Sequence, residues 1–280
     1  MEDVKKLKIM VDKAYNEDNN YRILHTKSKS KNALIFFSGH GLYSNTKDFN
    51  ISITKKQTYH GQNIIKNKLL QNYFSLIILA RDIHQCHYDF GINSTLNTKD
   101  KVTEFLKNTT EGYEIVTAGS SAGGYMAVLA GIKLNAKRIY TFSGQFVENL
   151  KDYPSLLELV SKNNNIYYFY PTELDIDAEQ YEFIKDFKNI TVFPFDGDNH
   201  GVPFSGICLP KILIMNRNEL LTLLNSFEKN KPINRFVFCK KVVPTIERIY
   251  KQSIVKIKKH IARLFHPVYI SFEDAITFRK

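Results

Sequence analysis

The chain has 280 residues, 43% of them hydrophobic and 24% charged, enough for one large α/β domain with a full core. No apolar run approaches the ~20 residues of a membrane span, and Met1–Lys8 lacks the apolar core of a signal peptide, so a cytoplasmic location is expected. A net charge of +11 favours polyanionic partners, and three widely spaced cysteines, Cys86, Cys208 and Cys239, argue against a disulfide framework.

The first strand signal is Tyr21–His25, an edge strand ahead of the main pattern. Short continuous apolar runs follow at Ala33–Phe37, Leu76–Ala80, Ile115–Ala118, Ile139–Phe142, Ile166–Tyr170 and Ile190–Phe193. Runs without polar alternation suit strands buried on both faces of a parallel sheet. Helices are expected near Lys99–Lys107, Ala122–Leu134, Ser155–Ser161 and Ala178–Phe187. Strand and helix alternating at this spacing predict a doubly wound, mostly parallel α/β sheet over residues 1–230.

Residues 231–280 read differently. From Pro244 the apolar positions Ile246, Ile249, Tyr250, Ile254, Ile257, Ile261 and Leu264 recur at helical spacing, with Arg248, Lys251, Lys256, Lys258, Lys259 and Arg263 between them. This predicts a basic amphipathic helix that ends at Pro267. It is expected either to pack on the domain with a solvated basic face or to touch an anionic polymer or the inner face of a membrane. The 16 tyrosines and 20 phenylalanines read mostly as core, with no RNA-binding signature, so no nucleic-acid partner is expected.

The run from Gly119 through Ser120, Ser121, Ala122 and Gly123 to Gly124 matches G-x-S-x-G with Ser121 at its centre. An apolar strand precedes it and an apolar helix, Tyr125–Ala130, follows. A turn this sharp needs nearly side-chain-free flanks, which the glycines and Ala122 supply. It holds the serine hydroxyl above the sheet and places the Ala122 backbone N–H at a helix N-terminus beside it.

A serine hydroxyl needs a base to take its proton. Where such a turn serves catalysis, an acid and then a histidine follow the serine in chain order. The last core strand runs into a loop, Asp196–Pro203, that contains His200, the candidate base. The strand before it runs into Pro171–Asp177. There Asp175 is the preferred acid because it comes sooner after the strand. Asp177 is the alternative and could instead cap the next helix; Glu173 ranks third. All of these lie at carboxyl ends of strands, where open α/β sheets bind ligands. The first central strand leads into Ser38–Leu42, and the backbone N–H of His40 or Gly41 is the second oxyanion-donor candidate beside Ala122. The cluster Arg81, Asp82, His84, Cys86 and His87 has metal-binding residue types. Its spacing fits no closed zinc pattern, so it is taken as a rim of the site and no metal is expected.

With these residues in place the sequence resembles the α/β-hydrolase superfamily over roughly residues 20–230. More narrowly, Ala118–Ala127, Asn135–Ser143 and Asn199–Pro203 resemble the α/β-hydrolase proteins of bacterial capsule and surface-polysaccharide loci, some of which are O-acetyltransferases. The resemblance implies a Ser-His-Asp triad on Ser121, His200 and Asp175, an oxyanion loop around His40, and acyl transfer through an acyl-enzyme. One departure is Ser38, where many members place the histidine of a His-Gly pair. Transfer to a hydroxyl of an anionic glycan, with acetyl-CoA as donor and no tightly bound cofactor, is the leading expectation. Hydrolysis of a carbohydrate or small acyl ester is the alternative, and a non-catalytic assembly module in polysaccharide export is a third.

Overall fold

The computed structural model describes residues 2–146, 156–161 and 165–244. The chain enters through α1 (Glu2–Glu17) and lays down β1 (Tyr21–His25) and β2 (Asn32–Phe37). The short helices α2 (Thr46–Phe49) and α3 (Lys68–Tyr73) lead to β3 (Leu76–Ala80). Strand and helix then alternate through α4 (Lys99–Thr109), β4 (Glu114–Ser120), α5 (Ala122–Lys133), β5 (Arg138–Phe142), α6 (Leu157–Val160), β6 (Ile166–Pro171), α7 (Asp175–Ile184) and β7 (Ile190–Phe195). The helices α8 (Leu209–Ile214), α9 (Arg217–Asn225) and α10 (Arg235–Val242) close the described chain.

The seven strands make one sheet in the order β1-β3-β2-β4-β5-β6-β7, with β1 antiparallel to β3 and every other pair parallel. This is the doubly wound sheet expected from the sequence, and its layout is that of the α/β-hydrolase fold. The continuous apolar runs have the cause inferred for them: side chains alternate between two covered faces. On one face Leu34, Phe36, Tyr140, Phe142 and Phe169 pack with residues of α3, α8, α9 and α10. On the other Ala33, Ile35, Phe37, Ile78 and Tyr168 pack with α4, α5 and α7. Burying a side chain of this size stabilises by roughly 1.5–3 kcal/mol, so the strands hold their register chiefly through these two layers.

Two features go beyond the sequence pattern. Helix α1 packs through Val11 and Ala14 on Leu42, Tyr43, Phe49 and Ile83, and so backs the loop that follows β2. The described start of the C-terminal extension, residues 231–244, packs on the sheet domain. Ile233 bridges to Phe195, and Phe238, Cys239 and Val242 of α10 are buried in the core beside β7. The basic helix expected from Pro244 to Pro267 lies outside the described residues.

Candidate active site

The site lies at the carboxyl end of the parallel strands. Strand β4 ends at Ser120 and α5 begins at Ala122, so Ser121 is the whole connection. Its backbone has φ 54° and ψ −126°, a positive-φ conformation outside the αL region that L-residues rarely adopt. The strain is held on both sides. The Ser121 N–H donates to Phe142 O (2.9 Å), and its carbonyl accepts from the N–H groups of Gly124 (2.8 Å) and Tyr125 (3.1 Å). The turn closes only because its flanks lack side chains: a Cβ on Gly119 would overlap the Gly123 carbonyl. Gly39 serves the same end from the neighbouring loop, where a Cβ would overlap the Ser120 carbonyl and lie 3.4 Å from Ser121 Cβ. The elbow and the β2 loop therefore touch.

His200 lies in the loop after β7, and its Nδ1 is 3.0 Å from Asp177 Oδ2. The imidazole is 39% exposed, whereas the carboxylate is 2% exposed. Gly201, at φ +96°, lets the loop turn back onto the sheet. There Ser143 Oγ donates to Gly201 O (3.1 Å), and Gly201 faces Ser120 Cβ. No hydrogen bond joins Ser121 to His200 among the described residues. The two are neighbours through Ser120 and Gly201, and such catalytic hydrogen bonds commonly tighten only with substrate bound.

The preferred acid of the sequence analysis is therefore corrected. Asp175 is exposed and makes no contact with His200, whereas Asp177 is buried against it. The reason is helical phase. Helix α7 begins at Asp175, three residues earlier than expected, so both aspartates lie in its first turn. At 3.6 residues per turn, side chains two apart point about 200° away from each other. Burying Asp177 beside His200 sends Asp175 into solvent. Asp177 does not cap the helix either: the cap position is Leu174. Glu173, the third-ranked acid, is exposed.

The β2 loop adds the remaining candidates. The Gly39 N–H donates to His60 Nδ1 (3.1 Å), and the Gly41 N–H donates to Gln85 Oε1 (2.7 Å). Gly41, one of the two donors the sequence allows in this loop, is thereby already engaged. The N–H groups of His40 and Ala122 have no partner among the described residues. The His40 side chain packs edge-on against the His87 ring, with centroids 4.5 Å apart. Burial, with His87 and His60 adding to it, pushes the His40 imidazole down to about 4; burial also lowers His60 and His87. A neutral His60 is what accepting the Gly39 N–H requires.

The cluster after β3 is held together by Asp82. The buried Asp82 carboxylate accepts the backbone N–H groups of His84 (3.1 Å), Cys86 (2.6 Å) and Tyr88 (2.9 Å). Among the described residues no group of three His, Cys, Asp or Glu side chains is placed to hold a metal ion. Sequence reasoning missed His60, Gln85 and Tyr88, whose contacts with the β2 loop cross 21 to 50 positions of sequence. Beside the histidine loop opens a cavity of about 360 Å³, lined among others by Asn199, Val202, Pro203, Arg235 and Phe236.

No protein-family model matches the sequence, and no curated protein matches it. Among solved structures the chain is similar to the capsule O-acetyltransferase of Neisseria meningitidis serogroup A, at 18% identity and TM-score 0.44 over 65% of this chain and 85% of that one. A mutant of that acetyltransferase was solved in complex with CoA, at 17% identity and TM-score 0.43 over 65% of this chain and 86% of that one. The chain is also similar to a lipase-esterase related protein from Clostridium acetobutylicum, at 16% identity and TM-score 0.42 over 75% of this chain and all of that one. A third likeness is to MenH from S. aureus, at 10% identity and TM-score 0.44 over 80% of this chain and 99% of that one. These are likenesses of fold. The chemistry rests on the residues of the site.

Proposed function

We propose that the protein is a serine acyl-transfer enzyme with Ser121 as nucleophile, His200 as base and Asp177 as the acid that orients it. The observation that carries this reading is the buried Asp177 carboxylate on His200 Nδ1, in a loop that touches a serine elbow. Asp177 fixes the tautomer in which Nε2 is free to take a proton, and it stabilises the imidazolium that results.

Ser121 Oγ attacks an acyl carbonyl and gives its proton to His200. The tetrahedral oxyanion collapses, the bond to the leaving group breaks, and His200 returns the proton to that group. A second hydroxyl then gives its proton to His200 and attacks the acyl-enzyme, and as the bond to Ser121 Oγ breaks His200 returns that proton to Oγ. The backbone N–H groups of Ala122 and His40 stabilise both oxyanions, a contribution of roughly 3 kcal/mol per donor in enzymes of this kind.

Acetyl-CoA as donor and a glycan hydroxyl as acceptor make the preferred substrate pair. The short-motif resemblance to capsule O-acetyltransferases supports it, and a net charge of +11 suits an anionic acceptor. Action inside the cell, with the basic segment after Pro244 against an anionic polymer or membrane surface, belongs to the same proposal; no helix of the described residues is long and apolar enough to cross a membrane. Hydrolysis is the second reading, favoured by a base that is 39% exposed and so open to water.

The test is intact-protein mass after mixing with acetyl-CoA, for wild type and Ser121→Ala, with and without acidic glycans. An acetyl adduct on wild type alone, discharged faster by glycan than by water, is expected. An adduct of equal size on Ser121→Ala overturns the assignment of the nucleophile. Adduct formation that only water discharges makes the protein a hydrolase, here of the thioester.

A further inference from the structure

Three backbone N–H groups of the β2 loop are engaged from outside the loop. Ser38 N–H donates to Ala80 O (2.9 Å), Gly39 N–H to His60 Nδ1 and Gly41 N–H to Gln85 Oε1. The N–H groups of His40, Leu42 and Tyr43 have no partner among the described residues, and of these only His40 N–H lies between two engaged neighbours. A buried or half-buried backbone N–H without a partner costs free energy, so such a group is uncommon unless something else completes it.

We infer that Gln85 is a positioning residue that aims the His40 N–H at the oxyanion. This inference rests on the acyl-transfer reading given above. Gln85 grips the loop with both ends of one amide. Oε1 accepts the Gly41 N–H at 2.7 Å, and Nε2 donates to the Tyr43 carbonyl at 3.1 Å. These two bonds bracket the peptide units just after His40. On the other side, His60 holds Gly39 N–H, and the Tyr88 hydroxyl donates to Ser38 O (2.8 Å). Between the two grips His40 has little freedom, while Gly39 presses the loop against Ser120 and Ser121.

The grip is itself held. Gln85 has φ 52°, and His87 and Tyr88 have φ 54° and 64°, three non-glycine residues on the left-handed side within four positions. The Asp82 carboxylate pays for that geometry by accepting three N–H groups of the same loop. The same turn seats Tyr88 and Ile83 in the core, whereas the Gln85 side chain lies partly exposed at its rim. Its two bonds end on the oxyanion loop and nowhere else among the described contacts.

Gln85→Ala removes both bonds and leaves the backbone preference at φ 52° unchanged, since neither residue favours that region. Gln85→Glu keeps an acceptor for Gly41 N–H and loses the bond to Tyr43. The experiment measures kcat and KM for hydrolysis of 4-nitrophenyl acetate by wild type, both Gln85 variants and Ser121→Ala. It adds thermal melting and inhibition by an alkyl boronic acid, whose tetrahedral serine adduct presents an oxygen to the same donors. For Gln85→Ala, kcat falls about 10- to 100-fold with KM within about two-fold, and boronate affinity falls in parallel with kcat. Gln85→Glu recovers most of both. A purely structural role would lower the melting temperature and the active fraction without weakening the boronate bound by the remaining folded enzyme.

If Ser121→Ala is inactive while Gln85→Ala keeps its kcat and boronate affinity within about two-fold, the positioning role is wrong and the acyl-transfer reading stands. If Ser121→Ala hydrolyses the ester as fast as wild type, the acyl-transfer reading is wrong and the role of Gln85 falls with it.

Discussion

The elbow at Gly119–Gly124 and the loop at Ser38–Tyr43 face the same space, yet they are built in opposite ways. The elbow is made by its own sequence: small residues allow the turn, and the strand and helix on either side impose it. The β2 loop contributes Gly39 and Gly41 to its own shape and takes the rest from outside. His60, Gln85, Tyr88 and helix α1 hold it from a distance in sequence. The proposed nucleophile is thus specified locally, and the proposed oxyanion donor is specified by tertiary structure. A local specification can be read as a motif; a distributed one becomes visible only when the chain is folded.

Substitutions at the elbow should have the largest effects. Ser121→Ala is expected to lower the rate of acyl transfer on the order of 10⁶-fold with the melting temperature nearly unchanged, because only the nucleophile is lost. Kinetics and a melting curve on the same preparation check this. A rate loss that came with unfolding would mean that the strained serine matters to the fold, and the contrast with the β2 loop would weaken.

The acid offers the next sharpest comparison, between two aspartates in one helical turn. Asp177→Asn should cost roughly 10⁴-fold in kcat, since a neutral amide no longer selects the tautomer of His200 or stabilises its charge. Asp175→Asn, in solvent on the other side of α7, should leave kcat within about two-fold. The reverse order would restore the acid preferred from the sequence.

A smaller but more local effect is expected from Gly119→Ala. The added Cβ meets the Gly123 carbonyl, which belongs to backbone and cannot swing away. Destabilisation of roughly 2–3 kcal/mol should appear in denaturant melts, with activity lost in the folded fraction as well. Gly41→Ala provides the contrast in the β2 loop. No atom lies within 4 Å of its added Cβ, and its cost should come only from a backbone at φ +86°.

These contrasts explain how far the sequence could be read. The strand at Leu76–Ala80 has the limits expected of it, because burial on both faces leaves an uninterrupted apolar signature, and the partly exposed edge strand Tyr21–His25 also has its expected limits. Ser121 and His200 are placed by motif and chain order. Asp177 was within reach but one helical phase away. The start of α7 decides which aspartate faces inward, and helix boundaries are the least determined part of a local pattern. Helix α1 was not expected, since its apolar face of Val11 and Ala14 is narrow and set among lysines. Gln85 and His60 carry no local signal at all: a glutamine in a polar loop and a histidine after a tyrosine acquire meaning only beside Gly41 and Gly39.

The smallest expected effect tests whether the β2 loop is as dependent on its surroundings as this contrast implies. His40 titrates near 4 in the folded protein against 6.5 as its ordinary value, and burial lowers His60 and His87 in the same direction. Over the interval between those values the unfolded chain binds more protons at these positions than the folded one, so stability must fall as pH falls. The contribution is intact above about pH 6.5 and is lost progressively toward pH 4. Protonating His60 also removes the lone pair that accepts Gly39 N–H, so acid should loosen this loop before it touches the elbow. Amide exchange followed between pH 7 and pH 5 should show protection lost at Gly39 and then Gly41 first, with Gly124 and Tyr125, which donate to the Ser121 carbonyl, staying protected. His60→Asn supplies a neutral side chain at that position and should flatten part of the pH dependence of the melting temperature. Equal loss of protection at both places would mean that the two halves of the site rise and fall as one cooperative unit, and that the distinction between local and distributed specification ends with folding.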